Sequence, residues 1–187
     1  MIYGERVRLR AVEREDVPRF VEWLNDPEVI AGLELNLPLA NWEETRWFEN
    51  LSNYAAEERP LAIEARSPDG GWEHIGATGL SKIEWMNRCA CFGIFIGKKT
   101  LWNQGYGSEV TSLVLKHSFE TLNLNRIYLY VYETNPRAIR AYERAGFVKE
   151  GVLREARYLN GVYINALVMS ALRSGWTSSG SGDRPGA

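Results

Sequence analysis

An apolar, strand-like run that leads through a glycine-bearing turn into an apolar-striped helix limits the folds open to this chain. The run "CACFGIFIG" ends at Gly97, and Gly105 and Gly107 follow two lysines and a tryptophan. Beyond Gly107, apolar residues recur every three or four positions, which predicts a helix packed against a sheet. The first amides of such a helix lack internal partners and carry partial positive charge. The segment therefore predicts an anion site or, equally well, a plain turn shaped for tight packing.

Two common nucleotide-binding patterns do not fit this segment. The dinucleotide fingerprint G-x-G-x-x-G requires glycine or alanine at the position of Val110. The P-loop pattern requires serine or threonine after Gly97 and Lys98, where the chain has Lys99. The sequence excludes both templates and leaves the anion unidentified.

The first third of the chain predicts a strand followed by two helices. Residues 6–11 alternate arginine with apolar residues, which is the period of a half-buried strand. A helical apolar pattern over residues 15–24 stops at a predicted turn over residues 25–27. A second helix is predicted to begin with Asn41 as its N-cap, and Glu44 stands in the capping-box position.

The rest of the chain predicts a sheet with two more helices. Three runs joined by turn-rich connectors, "PLAIEA", "WEHIGATGLSKIEW" and "CACFGIFIG", predict an antiparallel meander. The run "RIYLYVYE" predicts another strand, with three apolar side chains on one face: Ile127, Leu129 and Val131. Asn135 and the proline after it start a short helix that stops at Gly146. A final hairpin turns at Asn160 and Gly161.

Composition narrows the possible partners. The chain has 22 Lys and Arg against 24 Asp and Glu, a net charge of -2, so its overall charge favours neither nucleic acid nor an anionic membrane. No stretch approaches the ~18 apolar residues of a membrane span, and we expect a soluble, cytoplasmic protein. Cys89 and Cys91 lie two apart in a predicted strand and are interpreted as core thiols, so we expect neither a disulfide nor a metal site.

The length of 187 residues suits a single domain, which at this size buries roughly 70% of its unfolded surface. Residues 1–175 are predicted to form that domain. The Ser-, Gly- and Pro-rich tail over residues 176–187 is predicted to be disordered.

Four separated motifs in this order carry a family resemblance: "EWLNDPEV", "LWNQGYGSE", "HSFETLNLNRIYLYVYETN" and "AGFVKEGVLREARYLNGVY". With the order of predicted elements, they resemble the GNAT superfamily of acyl-CoA-dependent N-acetyltransferases, and within it the branch of ribosomal-protein N-terminal (alanine/serine) acetyltransferases. The resemblance implies an α/β (α+β) fold. Its central mixed, mostly antiparallel sheet would have about seven strands, flanked by about four helices, with a V-shaped splay between the fourth and fifth strands.

The resemblance also gives the glycine turn a ligand, the pyrophosphate of the cosubstrate acetyl-CoA. The cofactor residues that it implies lie on the fourth strand, the turn and the two following helices: Phe92, Ile94, Phe95, Ile96, Trp102, Asn103, Gln104, Gly105, Tyr106, Gly107, Ser108, Asn135 and Tyr142. Trp102 stands where the general superfamily pattern prefers Gln or Arg, which removes one polar contact. Lys98 and Lys99 are interpreted either as neighbours of the 3'-phosphate or as solvated surface charges.

The implied mechanism is direct attack of a neutral amine on the thioester, with no metal. By position in the family, Tyr142 would be the general acid for the departing thiolate, or else a helix-packing residue. Glu84 and Glu133 end strands beside the expected cleft and are candidate bases or plain surface carboxylates. His74 and His117 are weaker candidates, because a satisfied core histidine is the commoner outcome.

The acceptor amine is the least determined partner. The resemblance puts it opposite the cofactor, near Glu34 and near Asn165, which stands where the branch often has aspartate. The branch favours a protein N-terminal α-amine; the alternative is a small amine such as a polyamine, an aminoglycoside or a metabolite. A non-catalytic acyl-CoA-binding module and another nucleotide-binding protein also stay open. We expect a monomer or a homodimer.

Overall fold

The part of the chain that the structure describes is built on one mixed sheet of eight strands. A computed structural model describes residues 1–35 and 38–176, so most of the predicted tail, from residue 177 on, lies outside the described residues. The strands are β1 (Ile2–Tyr3), β2 (Val7–Ala11), β3 (Leu61–Arg66), β4 (Trp72–Glu84), β5 (Cys89–Ile96), β6 (Arg126–Tyr132), β7 (Val148–Leu159) and β8 (Val162–Leu172). The helices are α1 (Val17–Leu24), α2 (Pro27–Ile30), α3 (Asn41–Asn50), α4 (Tyr106–Lys116) and α5 (Pro136–Arg144). Within the described ranges, none of the helices has the length and apolarity needed to span a bilayer.

The sheet is antiparallel except at one place, and its spatial order is β1-β2-β3-β4-β5-β6-β8-β7. β5 and β6 run parallel and pair only from Cys89, opposite Arg126, to Cys91, opposite Tyr128. β5 stays paired with β4 as far as Ile96. The predicted mixed α/β fold is thus confirmed, including the splay after the meander.

The sheet has one strand more than predicted, and there is one additional helix. β1 has two residues, which is too short for a period-two pattern to appear in the sequence. The additional helix, α2, directly follows the end of the first long helix and overlaps the predicted turn over residues 25–27. Pro27 begins it, and the side chain of Asp26 caps it by accepting from the amide of Glu28 at 2.9 Å.

α3 is capped one residue earlier than predicted. Ala40 is its N-cap, and the side chain of Glu43 accepts from the Ala40 amide at 2.8 Å. Glu44, the predicted capping-box residue, is instead buried. A capping box depends on the first helical residue, and local sequence leaves that position uncertain by a residue.

Two apolar layers hold the helices against the sheet. On one face, α4 and α5 pack in the same cluster as the three predicted inward residues of β6, all of them buried: Ile127, Leu129 and Val131. On the opposite face, Phe20 and Trp23 of α1 pack with Ala62 and Ala77. Each large apolar side chain buried in this way contributes about 1.5–3 kcal/mol. Together the layers fix α4 and α5 beside the splay.

Candidate active site

A cavity of about 450 Å³ opens where β5 and β6 stop pairing. Its walls come from the second half of β5, the turn that follows, the start of α4 and one face of α5. Most of the predicted cofactor residues line it: Ile94, Phe95, Ile96, Trp102, Asn103, Gly105, Tyr106, Gly107, Ser108, Asn135 and Tyr142. Residues far apart in sequence therefore converge on one cavity.

Two of the predicted cofactor residues lie outside this lining. Phe92 is buried behind the wall, with its ring 6.1 Å from the rings of both Tyr142 and Phe147. Gln104 is turned away, because its side chain donates to the carbonyl of Thr100 at 2.7 Å. Phe92 shares its strand face with Ile94 and Ile96, but it lies next to the paired part of β5, where the apolar core beneath the cavity covers it.

The glycine turn presents the start of α4 to the cavity. Gly105 is the N-cap and has φ +88, a left-handed conformation that glycine adopts without a Cβ clash. Gly107 lies in the first turn of α4, and a Cβ built there would meet no protein atom within 4 Å. The first helix amides lack intrahelical partners. The turn thus offers an anion several backbone donors that line the cavity.

Arg6 clamps this turn from the beginning of the chain. Its backbone amide and its Nε donate to the carboxylate of Glu109 in α4, at 2.8 and 2.9 Å. Its Nη1 donates to the carbonyl of Gln104 at 3.1 Å, and its guanidinium lies 4.6 Å from the centre of the Tyr106 ring. Sequence reasoning missed this clamp because Arg6 and Glu109 are 103 residues apart.

β5 contributes an unpaired strand edge. Its pairing with β6 ends at Cys91, whereas its other edge pairs with β4 through Gly93 and on to Ile96. Within residues 1–35 and 38–176, the backbone groups of the second half of β5 that face β6 therefore have no strand partner. An extended ligand with amide groups can pair with such an edge as an added strand does.

Tyr142 of α5 and Asn135, the N-cap of that helix, both line the cavity. The side-chain oxygen of Asn135 accepts from the amide of Ala138 at 3.1 Å, so the predicted N-cap is confirmed. Tyr142 is buried, and this burial raises its pKa to about 12. The phenol therefore keeps its proton across the whole physiological range.

Three arginines in the lining were missed by sequence reasoning, and all of them come from α5: Arg137, Arg140 and Arg144. Residues three and four apart lie on one helix face, and this spacing was visible in "NPRAIRAYER". The charges make the wall formed by α5 cationic. The loop after α2 was also not assigned to the cofactor, and it adds Gly32 and Leu33 to the lining.

The two predicted bases do not line the cavity. Glu84 is exposed and accepts from the side-chain amide of Asn87 at 2.7 Å. Glu133 accepts from the backbone and side-chain amides of Asn165, both at 3.0 Å. Asn165, predicted to contact the acceptor, also accepts from the amide of Glu155 at 2.9 Å. Glu133 and Asn165 thus tie β6, β7 and β8 together at one end of the sheet.

Glu34 lies where the loop after α2 meets the sheet. Its Oε1 is 3.5 Å from the hydroxyl of Tyr132, a long contact. The guanidinium of Arg157 lies 4.6 Å from the centre of the Tyr132 ring and donates to the carbonyl of Ala31 at 3.2 Å. Of the two predicted acceptor residues, Glu34 is the one beside the cavity-lining loop.

Four further residues were given alternative roles from the sequence, and none of them lines the cavity: Lys98, Lys99, His74 and His117. Lys98 pairs with Glu73 at 2.5 Å, and Lys99 pairs with Asp26 at 2.7 Å. The buried ring of His74 lies with one nitrogen 3.0 Å from the carbonyl of Gly76. These partners are carboxylates or backbone groups of the protein, so the geometry favours surface or packing roles.

The splayed mixed sheet and the cavity beside it match the structures of GNAT acetyltransferases. Residues 6–148 match the family model described as acetyltransferase (GNAT) domain. The chain belongs to this family and is an acetyl-CoA-dependent N-acetyltransferase.

Similar proteins include polyamine-modifying enzymes. The chain is 33% identical over 171 residues to spermidine N(1)-acetyltransferase of Vibrio cholerae serotype O1, covering 91% of this chain and 95% of that one. It is 31% identical to spermidine N(1)-acetyltransferase of Escherichia coli K12, over 87% and 84% of the two chains. The crystal structure of the Vibrio cholerae spermidine N-acetyltransferase in complex with CoA and spermine superposes with a TM-score of 0.79, at 30% identity over 92% of this chain and 98% of that one. The resemblance to the ribosomal branch remains a prediction.

Proposed function

We propose that this enzyme transfers the acetyl group of acetyl-CoA to a primary amine of a polyamine. The observation that carries the proposal is the cavity at the β5/β6 splay, which brings open helix amides, an open strand edge and the Tyr142 phenol together. The acceptor class rests on the similarity to spermidine acetyltransferases over nearly the whole chain. This favours the alternative acceptor over the protein N-terminal α-amine.

Different lining residues would bind different parts of acetyl-CoA. The amides of Gly107 and Ser108 and the turn before them would hold the pyrophosphate, since helix N-termini favour anions. The open edge of β5 would pair with the pantetheine amides, and Asn135 stands beside that path. Acetyl-CoA supplies the thioester whose carbonyl carbon the amine attacks.

Tyr142 is proposed to stabilise the sulfur as it leaves. Its pKa of about 12 exceeds the ~8.5 of a thiol, so the phenol keeps its proton and donates a hydrogen bond to the developing thiolate. Complete proton transfer to the thiolate would be uphill. Tyr142 therefore acts mainly as a hydrogen-bond donor, held by the rings of Phe92 and Phe147.

The acceptor must lose a proton before it attacks. A polyamine amine, similar to a lysine amine with pKa ~10.4, is mostly charged at pH 7. Glu84 and Glu133 are bound to neighbouring amides away from the cavity, so we propose that water removes the proton. Glu34 is proposed to hold an ammonium group of the acceptor. The rate at low amine concentration should accordingly rise with pH between about 7 and 9.

A thiol-release screen with acetyl-CoA tests the proposed function. The acceptors are spermidine, spermine, aminoglycosides and peptides with varied N-termini, each assayed over a range of concentrations. Spermidine or spermine should give the highest kcat/KM. A response confined to peptides would contradict the polyamine proposal, and no thiol release with any of these amines would contradict amine acetylation.

Two variants separate chemistry from binding. Tyr142→Phe should lower kcat by roughly 100-fold and leave acetyl-CoA affinity nearly unchanged. Gly107→Val should weaken acetyl-CoA affinity first, because a Cβ at this position meets no protein atom within 4 Å and the added side chain would occupy space that the ligand needs. Tyr3→Phe is the matched control, since Tyr3 is 61% exposed on β1. The reverse pattern in the two site variants would refute the roles.

A further inference from the structure

The cations of the cavity come from one helix. The turn and the start of α4 offer the lining backbone amides and neutral side chains, from Trp102 to Ser108. The positive side chains of the lining are Arg137, Arg140 and Arg144. Along α5 they are separated by about 4.5 and 6 Å of helix rise. A diphosphate held on the turn would therefore meet its counter-charge from α5.

Arg137 is the arginine that reaches across to the turn. Its guanidinium carbon lies 3.5 Å from the centre of the Trp102 ring, within the distance of a strong cation–π contact. Trp102 is itself oriented, because its indole Nε1 donates to the carbonyl of Ile96 at 2.8 Å. The oriented indole of Trp102 therefore holds the Arg137 guanidinium between the glycine turn and α5.

Arg137 has no carboxylate partner within residues 1–35 and 38–176, in contrast to Arg10 and Arg126. It is half-buried, and this burial lowers its pKa. A desolvated cation without an anion costs free energy, which a phosphate would recover through the fork of N–H donors on the guanidinium.

We propose that Arg137, presented by the face of Trp102, binds the diphosphate of the acyl-CoA cosubstrate. The inference rests on the proposed function for the identity of the ligand. In this proposal Trp102 positions the Arg137 guanidinium beside the glycine turn, whose own residues 102–108 carry no charged side chain. The position of Arg137 at the first turn of α5 favours the diphosphate over the 3'-phosphate, because the face of Trp102 holds it beside the glycine turn.

Calorimetric binding of CoA and of dephospho-CoA, which lacks only the 3'-phosphate, tests this assignment on the full chain. Arg137→Gln should weaken binding of both ligands by the same factor, roughly 10- to 100-fold. The loss should shrink as salt concentration rises, since the contact is between charges. Trp102→Leu should weaken binding roughly two- to fivefold and Trp102→Phe less, because a π face is kept.

The matched control is Arg66→Gln. The guanidinium of Arg66 lies 5.2 Å from the centre of the Trp72 ring, so this variant removes the same charge and the same type of stacking, outside the cavity lining. Its affinity for both ligands should equal that of the wild type.

Three outcomes would overturn the assignment. An unchanged CoA affinity in Arg137→Gln would remove the residue from the site. A loss seen with CoA but not with dephospho-CoA would assign it to the 3'-phosphate. An equal loss with pantetheine, which has no phosphate, would make its role structural. Because binding is measured without an amine, a failed acetylation screen would leave a positive result for Arg137 intact.

Discussion

Arginines on the two faces of the sheet have opposite surroundings. On the face of α1, Arg10 donates through both terminal nitrogens to Asp16, at 2.6 and 2.7 Å, and through Nε to Glu64 at 2.9 Å. Arg8 donates to the same Glu64 at 2.5 Å. We call these four residues the ion network. Arg137, beside the cavity, stacks on an indole instead and has no carboxylate partner in the described part of the chain.

The difference separates charges that serve the fold from charges that serve a ligand. Burial by itself would raise the pKa of Asp16, but the hydrogen bonds from Arg10 and His74 outweigh it and hold the pKa well below its usual range. Each charged group of the ion network therefore has a partner of opposite charge within the protein and needs no ligand. The charge of Arg137 is left for an anion from outside, which predicts that damage to the network lowers stability and damage at Arg137 lowers affinity.

The largest expected effect comes from breaking the ion network. Asp16→Asn should lower the free energy of unfolding by about 3 kcal/mol, because Arg10 loses its two bonds to Asp16 and keeps only the Glu64 carboxylate, which it shares with Arg8. Urea denaturation measures this, and CoA affinity of the folded variant should be unchanged. Glu49→Gln, which breaks the exposed pair between Arg14 and Glu49, is the control and should cost less than about 1 kcal/mol.

The network should also impose an acid limit. A carboxyl with a lowered pKa stabilises the native state above its ordinary pKa of 3.8, and this stability is lost as pH falls below that value. Asp16→Asn should thus lose less stability than the wild type between pH 5 and pH 2 on titration. Equal slopes for the two proteins would show that Asp16 is not the group responsible.

The second largest effect is stabilisation by the ligand. CoA at about 100 times its dissociation constant should raise the unfolding free energy by about 2.7 kcal/mol, since only the native state binds it. Asp16→Asn should gain the same increment. Arg137→Gln at the same CoA concentration should gain half of it or less. Thermal denaturation with and without CoA measures these increments. Equal gains in all three proteins would contradict a role of Arg137 in binding CoA.

An effect of intermediate size is expected from Glu44 on α3. This carboxyl is buried, and its burial raises the pKa to about 7. The native state then retains a proton that the unfolded chain releases near pH 4.5. The contribution of Glu44 to the free energy of unfolding is full below that pH and is lost as pH rises toward 7. Glu44→Gln should remove this decline and be more stable at pH 8, by on the order of 2 kcal/mol. Glu49→Gln on the same helix should keep the wild-type profile.

The smallest effect should be the stability change of ligand-free Arg137→Gln. The stacking energy lost and the desolvation cost relieved oppose each other, so the unfolding free energy should stay within about 1 kcal/mol of the wild type. Chemical denaturation without CoA checks this. A loss of several kcal/mol would mean that Arg137 belongs to the fold, as Arg10 does.

Local signals in the sequence were enough for most elements of the sheet, whereas the residues of the cavity lining were predicted through the family resemblance. The strand with Ile127, Leu129 and Val131 inward, and the helix capped by Asn135, depend on contacts within a few residues. The glycine turn at Gly105 is local in the same way, because its left-handed φ is set by the residue itself. Such features can be predicted from periodicity and turn chemistry.

Other features depend on residues that meet only after folding. The clamp of Arg6 on Glu109, the stack of Arg137 on Trp102 and the bonds from the ion network's arginines to Glu64 each join segments whose pairing no local pattern encodes. The predicted bases Glu84 and Glu133 show the same limit. Their strand-end positions were read correctly, but the tertiary structure gives each carboxylate a neighbouring amide as partner, away from the cavity.

The sequence by itself determined the order of most strands and helices, the splayed sheet through its family resemblance, and the glycine turn before α4, because these follow from short-range periodicity, capping and motif order. The tertiary structure decided which charges are paired and which are left for a ligand. Charge pairing depends on distances of a few ångströms between segments up to about a hundred residues apart, and those distances exist only once the sheet has closed around its two apolar layers.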